Sequence, residues 1–265
     1  MKCALTQEQH QRIANQLYEA EKNNEPILQL TKTYNDINQE DAYAIQQIGM
    51  KRRVEEDGAR IVGRKIGLTS RGMMEMLHCD SPDYGYLLDT GLLYSGEVID
   101  TAKMNIPMIE AELCLVMGND IQGPGVTPAQ VINAVEWVMP CFEIPDGRYP
   151  SWDITVIDTI SDDAGAGKYL LSTQVKRINE INPECIGMVM YKNGELFGSA
   201  CGAEVLGSPI NSAAWLINKL AEYGAGLKRG DIVLTGAFMK ADLAKAGDIY
   251  SMQMDGFSSL TVKFK

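Results

Sequence analysis

The stretch PMIEAELCLVMG, residues 107–118, constrains the fold more than any other. It suits a β-strand, in which successive side chains point to opposite faces. Ile109, Ala111, Leu113, Leu115 and Met117 then share one face, an uninterrupted apolar set fit for a core. Glu110 and Glu112 fall on the other face with Met108, Cys114 and Val116. On such a strand their Cβ atoms stand roughly 6.5–7 Å apart. Burying two ionised carboxylates there costs several kcal/mol apiece unless something positive compensates. Either that face is solvated, or a divalent cation sits between the acids. The strand alone leaves both readings open.

Composition narrows the choice. A chain of 265 residues, 45% hydrophobic and 22% charged, can bury a sizeable core as an ordinary soluble protein. Its 24 Lys and Arg against 35 Asp and Glu give a net charge of −11. That balance disfavours a nucleic-acid or anionic-membrane surface. No run is long enough for a membrane span, and MKCALTQEQHQ has no signal-peptide core. Cysteines 3, 79, 114, 141, 185 and 201 form no CxxC pair, which suits a reducing cytoplasm without disulfides or zinc. There are two histidines, His10 and His78, and neither has the neighbours of a catalytic triad. A metal in this chain would take oxygen ligands, which means Mg²⁺, Mn²⁺ or Ca²⁺.

Helical periodicity over residues 6–22 and again after Asn38 up to Gly58 predicts an N-terminal helical layer, residues 1–60. The remainder, 61–265, reads as a β-rich body of one α+β catalytic domain. RIVGRKIGLTS is a glycine-broken strand, a short helix covers 71–78, and SPDYGYLLD places Asp83 and Tyr84 on a turn before an apolar segment. TPAQVINAVEWVMP predicts a helix capped by Thr127, with Ala129, Ile132, Val135 and Trp137 as its apolar contacts and a strand emerging after Pro140. CIGMVMYKNGELFGSACG is a hairpin turning at Asn-Gly.

Three features carry chemistry. Glu143, between Phe142 and Ile144, adds a third acid to Glu110 and Glu112, enough for half of an octahedral Mg²⁺ site. Lys65 lies within an apolar strand, where burial lowers a lysine pKa unless an acid is paired with it. Thr235 and Gly236, at a strand end, offer a hydroxyl and an N–H to a small carboxylate.

The blocks GRKIGLTS, SPDYGYLLD, IEAELCLVMGNDIQGPGVT, VMPCFEIPDGR, WDITVIDTISDDA, LGSPINSAAWL and GDIVLTGAF occur in the order seen in the 2-hydroxypenta-2,4-dienoate (2-keto-4-pentenoate) hydratases. The chain resembles that family, grouped with the 4-oxalocrotonate decarboxylases in the fumarylacetoacetate hydrolase superfamily, from about residue 40 to the end. The resemblance implies a mixed β-sheet roll or barrel and a hydro-lyase acting on a small 2-hydroxy or 2-oxo acid in aromatic catabolism. It also implies a homo-oligomer. It places Mg²⁺ or Mn²⁺ on Glu110, Glu112 and Glu143, and the active-site lysine and aspartate on Lys65 and Asp83. Thr235, Gly236, Arg148, Leu77 and Gly165 become substrate-binding candidates. LGSP and PCFE favour hydration over decarboxylation.

Two departures stand out: Asp146-Gly147-Arg148 where these relatives usually read DSR, and Ser161-Asp162-Asp163-Ala164-Gly165 where they read ADNAS. If the missing serine touches substrate in relatives, a different tail fits here. Decarboxylation of a vinylogous 2-oxo acid, tautomerisation, acylpyruvate hydrolysis, and a non-catalytic partner subunit remain the alternatives.

Overall fold

The computed structural model describes residues 2–70, 74 and 79–265. The short helix expected over 71–78, with Leu77 and His78, lies outside the described residues apart from Met74. The N-terminal layer forms from its own end signals. Thr6 and Gln9 make a reciprocal capping box at the start of α1 (Gln7–Asn23), and Asn24 ends it in the left-handed conformation at φ 55°. After the single turn α2 (Leu30–Thr33), Asn38 and Asp41 cap α3 (Gln39–Glu55) in the same way. Asp41 also accepts the backbone N–H groups of Ala4 and Leu5, and lies 2.7 Å from His10 Nε2. That network fastens the N-terminal segment to α3. Ile13, Ala14 and Leu17 bury against Leu30, Ile45, Tyr149 and Ile154, a core separate from that of the sheets.

The described strands are β1 (Ile61–Gly67), β2 (Asp83–Leu88), β3 (Leu92–Leu93), β4 (Val98–Ile99), β5 (Met108–Met117), β6 (Val135–Ile144), β7 (Lys168–Leu171), β8 (Gly187–Lys192), β9 (Glu195–Cys201), β10 (Ile232–Leu234), β11 (Asp242–Leu243), β12 (Ile249–Met254) and β13 (Leu260–Phe264). Further α-helices among the described residues are α4 (Pro128–Ala134), α5 (Val156–Ser161) and α6 (Pro209–Ala221). One sheet runs β2-β1-β10-β5-β6-β7-β3, with β11 against the start of β5. The other runs β4-β13-β12-β8-β9. The β8–β9 hairpin turns through Asn193 and Gly194, both at positive φ, as its Asn-Gly pair requires. The apolar face expected for β5 is buried throughout, from Ile109 to Met117. It joins Met188, Met190, Met252 and Met254 of the second sheet in one continuous core.

Two local expectations are corrected. The helix predicted over 127–140 stops at Ala134, and Ile132 is exposed rather than packed. Val135 and Trp137 belong to β6, with Trp137 opposite Val116 and Val138 opposite Leu115 on β5. Their β-branched and aromatic side chains gain a long antiparallel ladder there, which outweighs continuing a short helix. Asp83 is the first residue of β2, paired with Gly67, and not a turn residue.

Candidate active site

The β5–β6 register builds the centre of the site. Glu110 pairs directly with Glu143, and Glu112 lies two residues further along the same face. One oxygen from each of the three carboxylates lies within 4.8 Å of the other two. Glu112 and Glu143 are fully buried and Glu110 partly so. Glu112 Oε2 accepts a 2.8 Å hydrogen bond from Gly236 N, whereas Glu112 Oε1 and Glu143 Oε2 accept none. Burial and the nearby Glu143 push Glu110 up to about 7. Burial, Glu143 and Glu110 drive Glu112 well above the ordinary carboxylate range. Three convergent acids with unsatisfied buried lone pairs suit a hard, oxygen-seeking cation.

Lys65, on β1, is almost fully buried, with Nζ 3.1 Å from Glu143 Oε1. Three strand steps separate β1 from β6, about 14 Å on a flat sheet. The sheet therefore curls to bring them together, and β10 ends at Leu234, opposite Lys65, which clears the way. Burial by itself would lower the lysine pKa, as the sequence suggested. Here Glu143, Glu110, Asp83 and Glu112 outweigh it and hold Lys65 above its ordinary value, so the ammonium stays charged.

Asp83 closes the group. Thr159 Oγ1 donates to its Oδ2 at 2.7 Å from α5. A Cβ on Gly67 would lie 2.2 Å from Asp83 Oδ1 and 3.5 Å from Lys65 Nζ, so only glycine lets the acid settle there. Burial raises the Asp83 pKa, opposed by Lys65 and the Thr159 hydrogen bond. Lys65, Asp83 and Glu110 together open onto a cavity of about 390 Å³.

The other sequence candidates fare differently. Thr235 is completely buried and its Oγ1 donates to Leu113 O at 2.7 Å, so the hydroxyl serves the β10–β5 junction rather than a ligand. The Gly236 N–H is likewise committed to Glu112; its φ of 111° and its closeness to Thr69 explain the glycine. Arg148 does not line that cavity. It is buried, ion-paired with Asp162, and donates to the carbonyls of Asp146, Ala166 and Asp162. Those bonds clamp a turn in which Asp163, Ala164 and Gly165 are all left-handed, at φ 53°, 53° and 67°. Gly165 lies behind the cavity wall, while Ala164 lines it. His10 stays in the N-terminal layer with Asp41. Sequence reasoning missed Thr159 and Gly67. A glycine inside a strand pattern was the available signal for the second.

Asp163 makes a testable contrast. Its Oδ1 accepts the Tyr86 N–H at 2.9 Å, and burial raises its pKa from 3.8 to about 7 despite that bond and Arg148. Because the folded pKa is raised, the unfolded chain loses its proton first as pH climbs, and stability falls between the two values. Asp163→Asn keeps the acceptor without the charge. It is expected to stabilise the fold by about 2–4 kcal/mol at pH 8 and by little near pH 4, as read from urea unfolding at both pH values.

Residues 73–265 match the family described as fumarylacetoacetate (FAA) hydrolase C-terminal, and the chain belongs to that family. Within it, the chain is 34% identical over 261 residues to a 2-keto-4-pentenoate hydratase from Paraburkholderia xenovorans (strain LB400), covering 98% of this chain and 97% of that one. It is 35% identical over 250 residues to a 2-hydroxyhexa-2,4-dienoate hydratase from Comamonas testosteroni, with 94% of each chain covered. The solved 4-oxalocrotonate decarboxylase from Pseudomonas putida G7, complexed with magnesium and adipate, superposes over the whole of both chains with a TM-score of 0.96 at 33% identity. The expected mixed-sheet fold with its helical layer is therefore the fold observed. Among the described residues, no helix is long and apolar enough to cross a membrane.

Proposed function

We propose that the protein is a divalent-metal-dependent hydratase that adds water to a 2-hydroxy-2,4-dienoate and yields a 4-hydroxy-2-oxo acid. The observation that carries this reading is the clustering of Glu110, Glu112 and Glu143 with Lys65 and Asp83, three of which, Glu110, Lys65 and Asp83, line one cavity. The three glutamates would hold Mg²⁺ or Mn²⁺, in keeping with the magnesium bound by the decarboxylase relative. When bound, the metal supplies Lewis-acid stabilisation to the 1-carboxylate and 2-oxygen end of the substrate.

The remaining work falls to Lys65 and Asp83. The dienol loses the proton on its 2-oxygen and gains one at C5, which leaves a C3–C4 double bond conjugated to the 2-ketone. Water then adds its oxygen to C4 and one proton is delivered to C3. Two protons leave oxygen and two reach carbon, so the acid–base pair ends as it began. Lys65 and Asp83 share that shuttle as a coupled unit. Thr159 and Gly67 hold Asp83 in place for it.

The chain is proposed to work in the cytoplasm as a homo-oligomer. Its edge strand β9 carries exposed Leu196 and Phe197, the kind of surface that self-association covers.

The test mixes metal-free protein with 2-hydroxypenta-2,4-dienoate, adds Mg²⁺ or Mn²⁺, and identifies the product after subtracting uncatalysed ketonisation. Metal-dependent formation of 4-hydroxy-2-oxopentanoate is expected. Ketonisation without water addition would leave a tautomerase. Inertness toward this dienoate, with CO₂ released from a dicarboxylic one, would favour decarboxylation.

A further inference from the structure

Beyond the acid end, the cavity changes character. Its far wall is built from Met108, Pro145, Trp152, Ile154, Ala164 and Met239. Among the described residues that line it, the cations are Lys65 and Lys240. Lys65 is engaged by Glu143, and Lys240 is exposed. A carboxylate carried deep into that end would shed water with no buried, unengaged cation among the described lining residues to receive it. An alkyl group would gain from the same surroundings.

Trp152 is held in place at two points. Trp152 Nε1–H donates to Ile106 O at 3.0 Å. The edge of its six-membered ring lies over Gly165, where a Cβ would come within 2.9 Å of Cη2 and 3.3 Å of Cζ3. Gly165 ends the left-handed turn that Arg148 clamps, so the surface beneath the indole cannot readily yield. A side chain at 165 must push the ring away from the turn. This is the position at which the hydratase-like pattern carries serine and this chain carries none.

We propose that the Trp152 end of the cavity is a subsite for an uncharged alkyl tail, and that Gly165 sets its depth by letting the indole lie against the turn. The inference rests on the reading above, which places the 2-oxo acid head at the carboxylate cluster. It adds a substrate class: monocarboxylic dienoates with a short hydrocarbon tail, and not dicarboxylic ones.

Saturated 2-oxo acids, which cannot be hydrated, separate the two claims. Calorimetric binding of pyruvate, 2-oxopentanoate, 2-oxohexanoate and 2-oxohexanedioate to the Mg²⁺-loaded protein reads head and tail independently of turnover. Each added methylene is expected to tighten binding by about fourfold, and the second carboxylate of the dioate to weaken it at least about tenfold relative to 2-oxohexanoate. Gly165→Ser, with the indole displaced, should flatten the monoacid series while leaving pyruvate binding within about twofold. Trp152→Ala should also weaken the chain-length dependence by removing the wall itself. If pyruvate binds but the wild-type series is flat, or the dioate binds as well as the monoacid, the tail subsite is wrong and the head survives. Failure of pyruvate to bind at all would remove the head reading, and this inference with it.

Discussion

Lys65→Met is expected to lower kcat for dienoate hydration by about 10²–10⁴-fold at saturating metal. The side chain is the buried cation among Glu143, Glu110, Asp83 and Glu112, and it stands beside the cavity where a proton has to be moved. Methionine fills much the same volume but carries neither charge nor proton, so the loss is chemical rather than a packing defect. Folding stability at pH 8 without added metal should fall by about 3–5 kcal/mol, because the variant strands buried carboxylates without their partner. Lys65→Arg is not expected to rescue turnover, since a planar guanidinium neither fits the lysine's place against Gly67 and Glu143 nor gives up a proton. Steady-state kinetics with urea unfolding on the same preparations reads both effects. Retention of kcat within tenfold in Lys65→Met would place the acid–base work elsewhere.

Glu112→Gln should be at least as damaging, by a different route. The substitution keeps the size of the side chain and an oxygen able to accept from Gly236 N, but removes one negative charge from the three-carboxylate cluster. A metal that supplies several kcal/mol of charge stabilisation would be lost or misplaced, and kcat/KM should fall by at least about 10³-fold. The thermal signature runs in two directions. In metal-free protein the amide relieves repulsion within a buried acidic cluster, so Tm is expected to rise. Saturating Mg²⁺ should raise the wild-type Tm by ligand linkage and leave the variant nearly unmoved. A variant that hydrates the dienoate normally and still gains Tm with Mg²⁺ would show that Glu112 is not a ligand.

Much of the site could be read from the chain because it rests on strand periodicity. The two-residue spacing of Glu110 and Glu112 fixes a shared face, and Glu143 enters through a neighbouring antiparallel strand whose residues alternate in the same way. What could not be read depends on partners distant in sequence. Thr235 Oγ1 is consumed by Leu113 O, and the Thr159 hydroxyl reaches Asp83 Oδ2 at 2.7 Å. Nothing near either residue in the chain announces those partners. Arg148 reads as a substrate-binding candidate, but the fold wraps Asp146, Asp162 and Ala166 around it. The helix-to-strand change at Ala134 was missed because Val135 and Trp137 also satisfy a helical spacing over so short a run. The direction of the Lys65 shift depends on whether an acid is paired with it, and the four acids that settle it upward come from three other strands.

The central claim is that Glu110, Glu112 and Glu143 form one cation site. Titration of Mn²⁺ into metal-free protein, with free ion counted by electron paramagnetic resonance, addresses it without reference to any substrate. The account predicts one Mn²⁺ per chain, displaced by Mg²⁺, with Kd weakened more than about tenfold by each of Glu110→Gln, Glu112→Gln and Glu143→Gln. Equal stoichiometry and affinity in the wild type and all three variants would contradict it.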